Sequence, residues 1–160
     1  MRSTLAFAMA TLFALGGCHA WTRTACDGIG ERRSAITAQE YRSCAAALMA
    51  ALDEVRPPVR QFVRGDASAR PKALRAWQRL DLLVARSGFP RDVTSFSGRS
   101  IERWPDSDMR GFNSAVLQAA FAYHTALEVG ENLPASYNEE YFDKASGFHD
   151  DAEALYSDLW

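Results

Sequence analysis

The chain has 160 residues, 48% of them hydrophobic and 24% charged, with 18 Lys and Arg against 20 Asp and Glu and a formal net charge of −2. That balance is ordinary for a soluble globule with one core. No internal repeat and no low-complexity segment appears, which sets aside repeat arrays and biased tails.

The first element is an apolar run. Arg2 is followed by Leu5, Ala6, Phe7, Ala8, Met9, Ala10, Leu12, Phe13, Ala14 and Leu15, and the run closes on Gly16-Gly17-Cys18. A charged start and an apolar stretch within ~7–15 residues are the form of a secretory signal. The run is too short to span a bilayer, which takes ~20 residues.

Leu15-Gly16-Gly17-Cys18 resembles the lipobox of bacterial lipoproteins, an aliphatic residue and two small ones before a cysteine. The resemblance covers residues 1–18 only. It implies that residues 1–17 are a signal peptide and that Cys18 becomes the mature N-terminus, carrying diacylglycerol and acyl (palmitate) chains. Several acyl chains on one residue hold a domain firmly to a membrane. The following residue is His19 rather than Asp, which in Gram-negative members of that class implies the outer membrane, facing the periplasm. Ordinary secretion is the competing reading. Either way the address is the bacterial envelope.

Residues 18–34 read as a tether, with Gly28, Gly30 and no periodicity. With Cys18 lipidated, Cys26 and Cys44 remain as an even pair in an oxidising space, and a disulfide between them is expected over two free thiols.

Residues 35–160 read as a helical bundle domain. Thr37-Ala38-Gln39-Glu40 is a capping box. Tyr41, Cys44, Ala45, Leu48, Leu52 and Val55 then recur at helical spacing. Pro57-Pro58 predicts an end near Arg56 or a kink there, with Gly65 as the stop. A second helix is expected from about Ala69 to Ser87, with Asp66 or Ser68 as cap and Ala73, Trp77, Leu80 and Val84 inside. Residues 88–105 form a long irregular connection, read as a cap on the core through Phe89, Val93, Phe96, Ile101 and Trp104.

The third helix is expected from Asp106 or Ser107 to about Gly130, with Phe121 off its stripe and hence a second buried side. The fourth should start at Ser136, where Ser136-Tyr137-Asn138-Glu139 is another capping box. Gly147 within it suggests close contact with a neighbouring helix. Four helices with one long connection predict an all-α, up-and-down four-helix bundle.

Charge is unevenly spread. Arg56 to Arg110 holds 12 basic and 6 acidic residues, whereas Gly111 to Trp160 holds 1 basic and 9 acidic. The simpler expectation is that basic and acidic helices lie side by side and complement each other. The sharper one is a face for an anionic partner, built from Arg75, Arg79 and Arg86 with Arg56, Arg60, Arg64 and Lys72. Nucleic acid is not expected as that partner, because the aromatics are spaced as core rather than as a stacking platform.

The most specific polar pattern is duplicated: His124-x-x-x-Glu128 and His149-x-x-x-Glu153. Each pair shares a helix face. Two imidazoles and two carboxylates meeting between helices would suit a divalent metal. The more ordinary expectation is two histidines hydrogen-bonded beside the core, with no metal or other cofactor. No Gly-x-Ser-x-Gly, His-Glu-x-x-His, phosphate loop, Gly-x-Gly-x-x-Gly or Cys-x-x-Cys-His occurs. The sequence therefore predicts a membrane-anchored binding, accessory or inhibitor protein with an envelope protein partner, not an enzyme. The alternative is a metal-binding or sensing bundle.

Overall fold

In the first helix, Thr37 accepts the Glu40 N–H at 3.2 Å and Glu40 Oε2 accepts the Thr37 N–H at 3.1 Å, the reciprocal capping box read from the sequence. This helix, α1, runs Ala38–Val63 without interruption through Pro57 and Pro58. Because a proline has no N–H, the carbonyls of Asp53 and Glu54 lose their partners four residues on. The helix survives because both sides of the proline pair are anchored: Leu52, Val55 and Val59 are fully buried. The end expected near Arg56 does not occur, and the helix stops instead at Gly65, the other expected signal. Gly65, at φ +99°, donates to the Phe62 carbonyl at 2.9 Å, and Asp66 donates to the Gln61 carbonyl at 3.1 Å. That pair of bonds closes a helix on a left-handed residue, which glycine adopts without steric cost.

The computed structural model describes residues 25–27, 37–87, 107–128 and 135–160. A 3-10 turn at Ala67–Ala69, capped by Asp66, leads into α2 at Arg70–Ser87. Next come α3 at Ser107–Glu128 and α4 at Ala135–Leu159. Among the described residues there is no strand, and no helix is long and apolar enough to cross a membrane. The segment read as a signal, Cys18, most of the residues read as a tether and the connection after Ser87 lie outside the described residues.

Contacts between named residues give the topology. Glu54 of α1 meets Arg79 of α2, and Trp77 of α2 meets Ala120 and His124 of α3. Tyr41 and Arg56 of α1 meet Met109 and Tyr123 of α3, in the same order along both chains. Tyr41, Asp53 and Arg60 of α1 meet Trp160, His149 and Phe142 of α4, in reverse order. The molecule is an up-and-down four-helix bundle. Helix α1 touches all three others and lies near α3 across a short diagonal, while α2 and α4 stand at far corners.

The core follows the apolar stripes: Leu48, Leu52, Val55 and Val59 of α1, Leu80 and Val84 of α2, Phe112, Val116, Tyr123 and Leu127 of α3, with Phe142, Ala145 and Ala152 of α4. Each fully buried aliphatic side chain contributes about 1.5–3 kcal/mol. The closest pairing is α3 with α4, where Ala115, Ala119, Ala122 and Ala126 are buried along α3. A Cβ on Gly111 would meet Leu155 Cδ1 at 3.4 Å, an ordinary van der Waals contact, so Gly111 faces α4 without being crowded by it.

Four further expectations need correction. Gly147 marks no close approach: a Cβ there meets nothing within 4 Å. Phe121 is 64% exposed, so α3 has no buried side there. Helix α4 begins at Ala135, which puts Ser136 inside its first turn rather than at its cap. Finally, basic and acidic stretches lie side by side only in part: Arg56 of the basic stretch meets Asp150 of α4, whereas the basic helix α2 does not pack along α4 and its Arg79 pairs with Glu54 of α1.

At one end of the bundle the Cys26–Cys44 disulfide is formed, with both sulfurs buried beside α1. Tyr41, Phe112, Tyr156 and Trp160 pack there as an aromatic cluster with ring centroids 6.0–6.3 Å apart. Trp160 covers this end, and the Arg42 guanidinium lies 5.6 Å above its ring.

Candidate functional site

The densest polar constellation lies in the interior where α1, α3 and α4 meet. Asp53 and Arg56 project from α1 three residues apart and so share a face. Tyr123 comes from α3, and the Ser146 carbonyl, His149 and Asp150 come from α4. His149 is fully buried, with Nδ1 3.1 Å from Tyr123 Oη and Nε2 3.1 Å from Asp53 Oδ1. Arg56 Nε donates to Tyr123 Oη at 3.3 Å, while Nη2 donates to the Ser146 carbonyl at 3.0 Å and to Asp150.

One proton arrangement satisfies every group. The tyrosine oxygen accepts from Arg56 and gives its own proton to Nδ1. Nε2 therefore carries the ring proton and donates it to the Asp53 carboxylate. The imidazole is neutral in this arrangement. Burial pushes the His149 pKa below its ordinary value, and the Arg56 charge pushes the same way, against Asp53. Burial likewise raises the Tyr123 hydroxyl, with Arg56 working against it. For Arg56 itself, burial opposes the charge, but the bonds to Asp150 and Tyr123 more than offset this and the pKa is raised.

The rings are sealed from solvent. Tyr123 and His149 are both 0% exposed, their planes are nearly perpendicular at 86°, and Phe142 packs against Tyr123 at 6.2 Å. No substrate reaches either ring without the helices parting. The carboxylates of Asp53 and Asp150, by contrast, open to solvent at 69% and 65% exposure. The constellation is thus a polar fastening across three helices whose acidic ends reach the surface.

The four residues read as a metal quartet are not brought together. His124 turns toward α2, stacks on Trp77 at 4.0 Å and 23°, and pairs with Glu128 at 3.2 Å. His149 turns toward α1, and Glu153 is exposed. Successive helical residues differ by about 100°. Because Tyr123 faces His149, its neighbour His124 faces a different helix. Among the described residues no group of three His, Cys, Asp or Glu is placed to hold a metal ion.

The basic residues divide in two. Arg56 is drawn into the interior constellation, and Arg60 lies 5.6 Å over the Phe142 ring, so both serve the α1–α4 seam. Arg75 and Arg79 stay exposed on α2, and Arg86 is partly buried. Sequence reasoning missed Tyr123 and Asp53 as partners of His149, and the bonds that tie Arg56 to Tyr123 and Asp150. The available signal was a histidine on an apolar stripe, which needs partners for both ring nitrogens.

Fold and constellation define a four-helix bundle with a buried polar fastening and one disulfide. Compared with protein families, curated proteins and solved structures, the chain matches none.

Proposed function

We propose that this chain is an exported lipoprotein of the bacterial envelope, held on the outer membrane through Cys18 and facing the periplasm. There it acts by binding, as an accessory or inhibitor of an envelope protein. The observation that carries this reading is the accounting of three cysteines. Two form the Cys26–Cys44 disulfide, and the third, Cys18, is the one that ends the lipobox-like Leu15-Gly16-Gly17-Cys18. A disulfide suits an oxidising compartment, and a signal-like segment before Cys18 leads to one. Cys18 itself lies outside the described residues. Binding is favoured over turnover because the densest polar constellation closes on itself: each donor and acceptor of His149 and Tyr123 is used within the protein.

The test is intact mass and fractionation of the chain expressed in a Gram-negative host, with Cys18→Ala beside it. The expected result is an acyl mass gain on Cys18, membrane association that Cys18→Ala removes, and a stoichiometric protein partner in pull-downs. An envelope-borne protein with unmodified Cys18 overturns the anchor. Turnover of a substrate by the purified protein overturns the binding role.

A further inference from the structure

Helix α2 holds 5 basic residues and 1 acidic one, and α4 holds 7 acidic and 1 basic. Because these two helices stand at far corners of the bundle, the protein carries opposite charge on opposite sides. The outward face of α2 presents Lys72, Arg75 and Arg79 with Leu82, which is 46% exposed. Arg75, Arg79, Leu82 and Arg86 follow at intervals of four, three and four, one stripe along the helix. Its Arg79–Glu54 contact at 3.3 Å joins two exposed side chains, an arrangement that holds charge only weakly.

We propose that this face of α2 rests on an anionic phospholipid surface, an assignment that builds on the anchored reading above. The charge fits: basic residues are drawn to anionic headgroups, while the acidic α4 on the far side is repelled, so the two helices turn the molecule the same way. The apolar content fits as well. An exposed leucine flanked by long arginine stems matches the boundary between headgroups and acyl chains.

Chain length supplies the third argument. Through the disulfide, the N-terminal segment joins the bundle at Cys44, so 7 residues, or eight Cα–Cα steps, separate Cys18 from Cys26. Fully extended they reach about 28 Å. The stripe from Arg75 to Arg86 is only about 16 Å long. Setting Glu54 opposite Arg79 in an antiparallel pair brings Arg86 about level with Ala47, one turn from Cys44. A bundle anchored at Cys18 therefore keeps the whole stripe within reach of the bilayer.

The decisive measurement uses the mature chain, residues 18–160, with Cys18→Ser and its disulfide intact. It is sedimented with vesicles of phosphatidylglycerol and phosphatidylcholine, or of phosphatidylcholine alone. No acyl chain is present, so this assay reads the α2 face, and the intact mass of native protein separately reads the anchor. The expected result is binding to the anionic vesicles only, lost on raising salt. Each basic residue near an anionic surface strengthens binding about fivefold, so K72Q/R75Q should bind about 25-fold more weakly. Leu82→Gln should weaken binding a few-fold, and D151N/E153Q on α4 should not weaken it at all. Circular dichroism and melting of K72Q/R75Q should match the parent, which separates a lost face from a lost fold. Equal binding to both vesicle types, or an unaltered K72Q/R75Q, overturns the assignment. So does salt-sensitive self-association without lipid, in which α2 pairs with α4 of a second copy.

Discussion

His124 and His149 carry the same local pattern, a glutamate four residues on, and end in different worlds. His149 is sealed between three helices and bonded at both ring nitrogens. His124 lies at the edge of α2 and α3, stacked on Trp77 and paired with its own Glu128. In the first, the pattern is irrelevant, because Glu153 takes no part and Asp53 of α1 does the pairing. In the second, the pattern supplies the polar contact seen among the described residues. The rotation of each helix against its neighbours decides which histidine becomes structural.

The largest effect is expected from His149→Ala. It leaves the buried Tyr123 hydroxyl without its acceptor and opens a void, and urea unfolding should show a loss of about 3 kcal/mol. A loss below 1 kcal/mol would make the two histidines equivalent and end the contrast.

Tyr123→Phe removes the hydroxyl that links Arg56 to His149, and calorimetry should show a loss of about 1–2 kcal/mol. The same contrast can be read by pH. The folded protein holds the His149 pKa below its ordinary value, so the unfolded chain takes up the proton first. Stability contributed by His149 is therefore fully present above about pH 6.5 and declines below it, until the folded form is protonated too. The slope in that window should not exceed about 1.4 kcal/mol per pH unit for one proton. Unfolding curves between pH 7.5 and 5 should show the decline in the parent and lose it in His149→Gln.

Gly147→Ala sharpens the contrast from the helix side. It sits on the helix that carries His149, where an added Cβ meets nothing. The gain should be about 1 kcal/mol by thermal melting, with the pH dependence unchanged. The smallest effect belongs to His124→Ala, about 0.5–1 kcal/mol from the lost stack and exposed pair. A loss as large as that of His149→Ala would show that the Trp77 stack carries more than its surface position implies.

The helices were legible because their signals are local. The Thr37–Glu40 box, the stripes of α1 and α2 and the stop at Gly65 depend on neighbours within one or two turns. The disulfide was legible from the count of cysteines. The interior constellation was not, since Asp53 and His149 are 96 residues apart and Arg56 reads as one more surface base. Gly147 misled because glycine in a helix has two readings, close approach or open space, and only the packing separates them. Gly111 of α3 is the glycine that does face a neighbour, Leu155 of α4, and it does so at ordinary contact distance. The prolines of α1 misled for a related reason. Propensity says stop at Pro57, and burial of Val55 and Val59 on either side carries the helix through.

The disulfide also sets a load path. A pull along the N-terminal segment does not arrive at Thr37, where a helix end frays one turn at a time. It enters through the Cys26–Cys44 bond, two turns inside α1, on the side chain that faces the core. The capping box is bypassed and carries no tension. A domain hung from that point resists as a unit, in shear across the whole α1 seam, rather than unzipping from its first residue.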